Sequence, residues 1–349
     1  MSRKLKILIC ADASLPVPPK GYGGIERIVH LLCDGLSSRG HSVFLMAAPE
    51  SKTSAELIPH RKPDPRNRLS RIYRKLLFYC KVLVHAVGKD VVINFGRLDY
   101  IAPILRLTTK PVVCAFQNPI LSEHIHAVLT ARAKNIALVS VSDNQRQGLE
   151  NQNGIWTTIY NGVVAPPLPN DKCRRKYILF LGRLTRQKGV HTAIRVSQSG
   201  DVPLVIAGNV PETSEGPEYF SSAIAPHLCA SVQWVGEVDD ERKVTLLRNA
   251  KALLFPIEWD EPFGIVLIES MMCGTPVVAF DRGATAEIVS PGRTGFLVNS
   301  VEEMVQAIEK VDSIDRSECR RIAQERFGAE TMVSSYSDLC ESLVWGPQR

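Results

Sequence analysis

At 349 residues and a formal net charge of +6, the chain is long enough for two domains of roughly 150 to 200 residues, each with its own core. Its 45% hydrophobic and 22% charged residues are those of a soluble globular protein and exclude a disordered or fibrous one. Nine cysteines with no C-x-x-C pair and no His-rich cluster point away from a zinc site or a disulfide framework, so free thiols in a reducing cytosol are expected. At the N-terminus, Ser2-Arg-Lys-Leu-Lys-Ile-Leu-Ile-Cys-Ala11 is too short an apolar run for a signal sequence and meets Asp12 directly, so it reads as a first β-strand. No apolar stretch approaches the roughly eighteen residues of a membrane span, and any membrane contact is expected to be peripheral.

Along the chain, short apolar runs alternate with helix-length segments, the pattern of parallel sheets flanked by helices. The runs are KILICA, VFLMAA, DVVINF, PVVCAF and IALVSVS in the first half, then YILFLG, PLVIAG, VQWVG, KALLFP and PVVAF in the second. Between the series, Pro166-Pro-Leu-Pro-Asn170 reads as a linker. The expected fold class is α/β, two Rossmann-like doubly wound domains facing across a cleft, with ligands at the C-terminal ends of the strands. The boundaries read 1–165 and 166–328, followed by a C-terminal segment 329–349 that is helical in pattern from Ala329 to Trp345.

After the first strand comes Pro18-Pro-Lys-Gly21-Tyr-Gly23-Gly24-Ile-Glu26, three glycines ahead of a helix from Ile25 to about Ser38. Lacking Cβ atoms, Gly23 and Gly24 let backbone N–H groups approach an anion at the helix start, although glycines between a strand and a helix also serve as plain turn formers. The spacing matches neither G-x-G-x-x-G nor a P-loop.

Residues 61–81 carry eight Lys or Arg against Asp64 alone, a local +7 in a chain whose total is +6. On a helical wheel, Leu69, Ile72, Tyr73, Leu76, Cys80, Leu83 and Val87 form one apolar stripe, expected to face the core. Opposite them, Arg68, Arg71, Arg74, Lys75 and Lys81 are interleaved with Phe78, Tyr79 and Val82, a face suited to an anionic membrane surface. An ordinary solvated amphipathic helix is the competing reading, and no fold or motif supports nucleic acid as a partner.

In the second half, Tyr177-Ile-Leu-Phe-Leu-Gly182-Arg183-Leu-Thr-Arg-Gln-Lys188-Gly189 is a strand ending at Gly182, then a loop delivering Arg183 and Lys188 before a helix near Val190. Two cations at a strand's C-terminal end are placed to neutralise a diphosphate. Asp239-Asp240 reads as a helix start. Further on, Glu261-Pro-Phe-Gly-Ile-Val-Leu-Ile-Glu269 leads through Gly264 into a short apolar helix that Gly274 stops, ahead of the buried strand PVVAF. Its free N–H groups lie beside Glu261 and Glu269 sits about two turns further along, a layout resembling a seat for a sugar diphosphate.

The Gly23-Gly24-Ile25-Glu26 turn, Ser140-Val-Ser142, Asn161-Gly-Val163, the G-R-L-x-x-x-K loop and the E-x7-E run follow one another from about residue 5 to about residue 300. In that order the chain resembles the family 4 retaining glycosyltransferases of GT-B fold, glycosyltransferase group 1. The resemblance implies that the glycine loop closes on the donor diphosphate, that Arg183 and Lys188 offset its charge, and that Glu261 holds sugar hydroxyls. It assigns the ribose hydroxyls to Glu269, donor contacts to Gly23, Gly24 and Gly182, and backbone contacts to Phe263, Gly264 and Ile265. It also implies that the final helix crosses back to the first domain. Many relatives carry a His where this chain reads Val112-Val113-Cys-Ala-Phe-Gln117-Asn118; Gln117 offers a hydrogen bond to a sugar or acceptor hydroxyl but no positive charge. Either neutral contacts suffice, or another residue such as His124 or His126 supplies an imidazole.

A retaining glycosidase needs two carboxylates about 5 Å apart, and with Glu269 assigned to ribose no such pair is evident. The resemblance implies instead an oxocarbenium-like state, with the acceptor entering on the face the diphosphate leaves, helped by positioning and fixed positive charge. No D-x-D occurs, so neither a catalytic metal nor another cofactor is expected. The sequence thus predicts a cytoplasmic, peripherally membrane-associated hexosyltransferase using a nucleotide sugar, UDP-linked before GDP-linked, and a glycan or lipid-linked acceptor. A non-catalytic nucleotide-sugar-binding subunit and a sugar-nucleotide epimerase on the same fold are the alternatives.

Overall fold

A computed structural model describes residues 4–21, 23–61, 68–120, 135–149, 155–167 and 175–346. Two compact units emerge, one of Met1–Gly162 with Ala329–Arg349 and one of Val163–Gly328. The first holds strands β1 (Lys6–Cys10), β2 (Ser42–Ala47), β3 (Glu56–Pro59), β4 (Val91–Asn94), β5 (Val112–Ala115), β6 (Ile136–Ser140) and β7 (Ile155–Thr158). They form a parallel sheet in the order β3-β2-β1-β4-β5-β6-β7. The second unit holds β8 (Tyr177–Leu181), β9 (Leu204–Ala207), β10 (Val232–Trp234), β11 (Ala250–Phe255), β12 (Val277–Phe280) and β13 (Gly295–Val298), parallel in the order β10-β9-β8-β11-β12-β13. Each unit is therefore a doubly wound α/β layer.

Central strands covered by helices on both faces have no polar side to show, so β4 and β5 are buried at every position and read as unbroken apolar runs. Three strands are absent from the predicted series: β3, β7 and β13. All three are sheet edges, where one neighbour is missing, and β3 and β13 mix buried positions with exposed or half-buried ones. Their short mixed sequences carry too little apolar signal to stand out from loops.

Helix Ala329–Trp345 packs on helix Gly24–Ser38 within the first unit. Gly35 permits this close approach, since a Cβ there would lie 2.5 Å from Val333 Cγ2. Beside that crossing, His41 Nε2 meets Ser337 Oγ at 3.0 Å, and Arg39 pairs with Glu330.

The basic helix Arg68–Ala86 is turned relative to the predicted wheel. Phe78, 2% exposed, enters the core with Val82 and Ala86 and packs against the His60 ring at 4.2 Å, so it cannot belong to an exposed membrane face. Tyr73, Leu76 and Val87, expected inside, are instead 64%, 56% and 75% exposed, and Cys80 is exposed as well. The physical reason is that this helix is apolar on two sides. The sheet accepts the side where small Ala86 and β-branched Val82 allow close approach and Phe78 fills the gap beside Ile58. Lys81 is exposed as expected and donates to Pro59 O at 3.2 Å. The side chains of Arg68, Arg71, Arg74 and Lys75 lie outside the described ones.

Candidate functional site

In the second unit the strand order reverses between β8 and β11, so the loops leaving these two neighbours part to opposite faces and open a crevice at their C-terminal ends. The sequence-predicted residues collect on these two loops. Past Gly182, exposed Arg183 heads the first loop, and buried Leu184 anchors it, its N–H donating to Asn209 O at 3.0 Å. One 3-10 turn, Arg186–Lys188, then brings Lys188 to Gly189, whose left-handed backbone (φ 74°) starts helix Val190–Gly200. From β11, the second loop passes Pro256 and reaches Glu261 and Gly264. The two are stitched together by the Glu258 N–H donating to Gln187 O at 2.8 Å.

Lys188 Nζ and Glu261 Oε2 form an ion pair across this crevice, with side chains 18% and 15% exposed. The pair brings together two residues predicted separately, a diphosphate cation and a sugar-binding carboxylate. Glu261 is held from behind: Ala284 N–H donates to its carbonyl at 3.1 Å, and Gly283 has no room for a Cβ, which would lie 2.5 Å from the Glu261 backbone N and O. Gly264 adopts φ 88° and opens helix Ile265–Met272 as predicted, and Gly274 (φ 69°) lies just beyond its end. Phe263 is buried with its ring 6.1 Å from that of Phe327, so its side chain helps to fix the loop.

Glu269, in the second turn of that helix, pairs with Lys243 Nζ at 2.5 Å, and Asp240 completes the cluster at 3.0 Å. Burial alone would lower the pKa of the Lys243 ammonium; Glu269 and Asp240 outweigh it and hold the pKa above its ordinary value. Lys243 lies on helix Asp240–Asn249, which Asp239 caps by accepting from Arg242 N–H at 2.8 Å, as its sequence position predicted. Lys243 itself escapes a reading of the sequence, because a lysine in a run of charged residues carries no sign of a partner 26 positions downstream. Replacing Lys243 by methionine keeps the stem and strands the mostly buried Glu269 carboxylate. Discounted for partial exposure, the loss of unfolding free energy is expected to be about 1–2 kcal/mol, measurable by urea titration at neutral pH.

A second network also went unread. His191, on the first turn of helix Val190–Gly200, contacts Glu258 Oε1 through Nε2 at 2.8 Å and the Tyr219 hydroxyl through Nδ1 at 2.8 Å. It thereby ties the loop carrying Glu261 to the helix that follows Lys188. Burial raises the Tyr219 phenol, keeping it a neutral hydroxyl in this chain of bonds. Trp259 adds a face to the site: Lys188 Nζ lies 5.4 Å from its ring centroid. At the ends of β9 and β10, Trp234 donates from Nε1 to Gly208 O at 3.0 Å and packs on the Phe220 ring at 4.6 Å, forming a platform beside Val235–Glu237.

Gly23, Gly24 and Gln117 belong to the first unit. The first two stand at the start of helix Gly24–Ser38; a Cβ on Gly23 would lie 2.7 Å from Pro19, so the chain needs glycine there for space. Glu26, on the first turn, has its carboxyl pKa raised by burial. Gln117 accepts from Asn161 Nδ2 at 2.9 Å through Oε1, and its Nε2 is buried without a partner among the described residues. His124 and His126 lie outside the described residues.

Two family models divide the chain: Glycosyltransferase Family 4 matches residues 22–165 and glycosyl transferases group 1 matches residues 169–327. The alpha-maltose-1-phosphate synthase of Mycolicibacterium smegmatis is 35% identical over 170 residues, a match spanning 45% of this chain and only 43% of that protein. The phosphatidyl-myo-inositol mannosyltransferase of Mycobacterium leprae is 28% identical over 323 residues, covering 84% of this chain and 83% of that protein. Among solved structures, Anabaena HepE in complex with UDP and glucose superposes with a TM-score of 0.76 at 18% identity, covering 97% of this chain and all of that one (100%). Two doubly wound units, a paired lysine and glutamate at the switch point of the second, and family models that adjoin near residue 165 agree: the chain belongs to the family 4 glycosyltransferases of GT-B fold.

Proposed function

We propose that the chain is a retaining hexosyltransferase taking its sugar from a nucleotide sugar, UDP-linked before GDP-linked, and passing it to a glycan or lipid-linked acceptor in polysaccharide or glycolipid synthesis at the cytoplasmic face of a membrane. The observation that carries this reading is the Lys188–Glu261 pair at the β8/β11 switch point, next to the helix start at Gly264. A nucleoside diphosphate there meets Lys188, Arg183 and the helix start at Ile265, while Glu261 takes sugar hydroxyls and Glu269 the ribose. HepE, solved with UDP and glucose, supports the choice of nucleotide, and the mannosyltransferase named for phosphatidyl-myo-inositol supports a lipid acceptor.

Chemically, the acceptor hydroxyl attacks the anomeric carbon from the face the diphosphate leaves. The C–O bond to phosphate breaks, and the departing phosphate oxygen takes the acceptor's proton. Lysine and arginine offset the charge growing on that oxygen, so no metal is needed in this scheme. The Gln117 Nε2 donor, oriented by Asn161, is assigned to a sugar or acceptor hydroxyl.

A panel of UDP-, GDP- and ADP-sugars, read by mass spectrometry for bound donor and for slow hydrolysis to free sugar, tests the proposal. Selective binding of a UDP-sugar with hydrolysis that survives EDTA is the expected result. Binding without hydrolysis or transfer to any acceptor favours the binding-subunit alternative, and no binding at all overturns the donor site.

A further inference from the structure

The two side chains assigned to different parts of the donor are bonded to each other. Lys188 Nζ sits on Glu261 Oε2, and because both side chains are mostly buried, water compensates neither charge well when the other is drawn away. The second carboxylate of the site is held differently: Glu269 meets Lys243, which Asp240 also holds at 3.0 Å, so that lysine is pinned by two carboxylates. Lys188 has Glu261 as its one ion-pair partner among the described residues, and the Trp259 ring, 5.4 Å from Nζ, is a contact that does not depend on that carboxylate. The Glu261 backbone is fixed by the Ala284 N–H and by the lack of space at Gly283, so the lysine, on its long flexible stem, is the partner that moves.

We propose that this ion pair is an exchangeable contact through which the site discriminates the intact nucleotide sugar from the nucleoside diphosphate left after transfer. A bare nucleoside diphosphate draws Lys188 to its phosphates and strands the mostly buried Glu261 carboxylate beside an anion. An intact nucleotide sugar draws Lys188 in the same way but brings hydroxyl donors for Glu261, which replace the bonds of the departed ammonium. After transfer those hydroxyls leave with the acceptor. Glu261 then competes with the diphosphate for Lys188, and re-formation of the pair speeds release of the product, a step that often limits turnover. The exchange presupposes Lys188 on the diphosphate and Glu261 on the sugar, and so rests on the function proposed above.

Isothermal titration calorimetry on the full chain and its Glu261→Gln variant decides it, with UDP and UDP-glucose as probes, or GDP and GDP-mannose if the donor panel selects guanosine. Glutamine keeps the shape of the side chain but gives up the ion pair. The variant is expected to bind the bare diphosphate about tenfold or more tighter than the parent does, and the intact donor no tighter, so the ratio of the two affinities moves about tenfold towards the diphosphate. Asp260→Asn removes a charge from the exposed neighbouring position and is expected to change both affinities by less than about twofold. Parental or weaker affinity of Glu261→Gln for the diphosphate overturns the proposal. Equal tightening towards both probes, or a gain from Asp260→Asn as large as that from Glu261→Gln, also overturns it, because plain relief of repulsion acts on any diphosphate. A parent that binds neither probe overturns the donor site along with the exchange, whereas a parent that binds both, with no gain for the diphosphate in Glu261→Gln, overturns the exchange alone.

Discussion

Replacing Lys188 by alanine is expected to lower kcat by about 10²- to 10³-fold, the cost of removing one fixed electrostatic donor from a developing oxyanion. The loss should fall on kcat more than on KM. Under the proposed function, the ground-state charge of the diphosphate is shared over several oxygens and partly met by Arg183 and the helix start at Gly264, whereas bond breaking concentrates new charge on the leaving oxygen. Lys188 has a second task in the free protein, because it neutralises Glu261, whose side chain is 15% exposed. The alanine variant therefore leaves that carboxylate without its cation, and a modest loss of stability accompanies the loss of rate. Glu261→Gln separates the two contributions. It removes the pair while leaving the lysine charge, so its kcat should fall less than that of Lys188→Ala if phosphate charge is the main task of Lys188. Folding is followed by circular dichroism and rate by release of the nucleoside diphosphate; an alanine variant with parental kcat would refute the assignment of Lys188 to the diphosphate.

What could be read in advance follows from where each signal resides. Central strands such as β4 and β5 announce themselves because burial on both faces demands unbroken apolar runs, and the Gly264 turn does because its backbone needs φ near 88°. Edge strands β3, β7 and β13 did not, because one missing neighbour relaxes the demand on composition. For Lys188 and Glu261, loop position at strand ends sufficed. Lys243 and His191 meet partners, Glu269 and Glu258, that come from distant segments, and no local spacing encodes such meetings. Helix Arg68–Ala86 shows a third kind of failure. Its hydrophobic residues cover two sides, so the wheel alone could not say which side the sheet would take; the fit of Phe78 against His60 and Ile58 settled it.

The other large effect is expected at a residue with no chemistry of its own. Gly189 ends the Lys188 loop in a left-handed conformation, φ 74° and ψ 31°, and a Cβ placed there would lie 1.9 Å from the carbonyl oxygen of Pro256 and 2.8 Å from its carbon. Alanine meets two penalties at once: the left-handed region costs an L-residue about 1–2 kcal/mol, and a clash with backbone cannot be relieved by a rotamer change. Together they should lower the unfolding free energy by about 3 kcal/mol or more, read as a lower urea midpoint. Relief, if it comes, must come from moving Pro256. That residue opens the loop that continues to Glu258 and Glu261, so the Glu258–Gln187 bond at 2.8 Å and the Lys188–Glu261 pair would both be disturbed. A Gly189→Ala protein should therefore lose turnover even at temperatures where it remains folded, because a displacement of about 1 Å in a positioning loop is enough to cost about 10²-fold. Full activity in a destabilised but folded variant would show that the two loops need not keep their register, and would remove the stitched switch point from the account of catalysis.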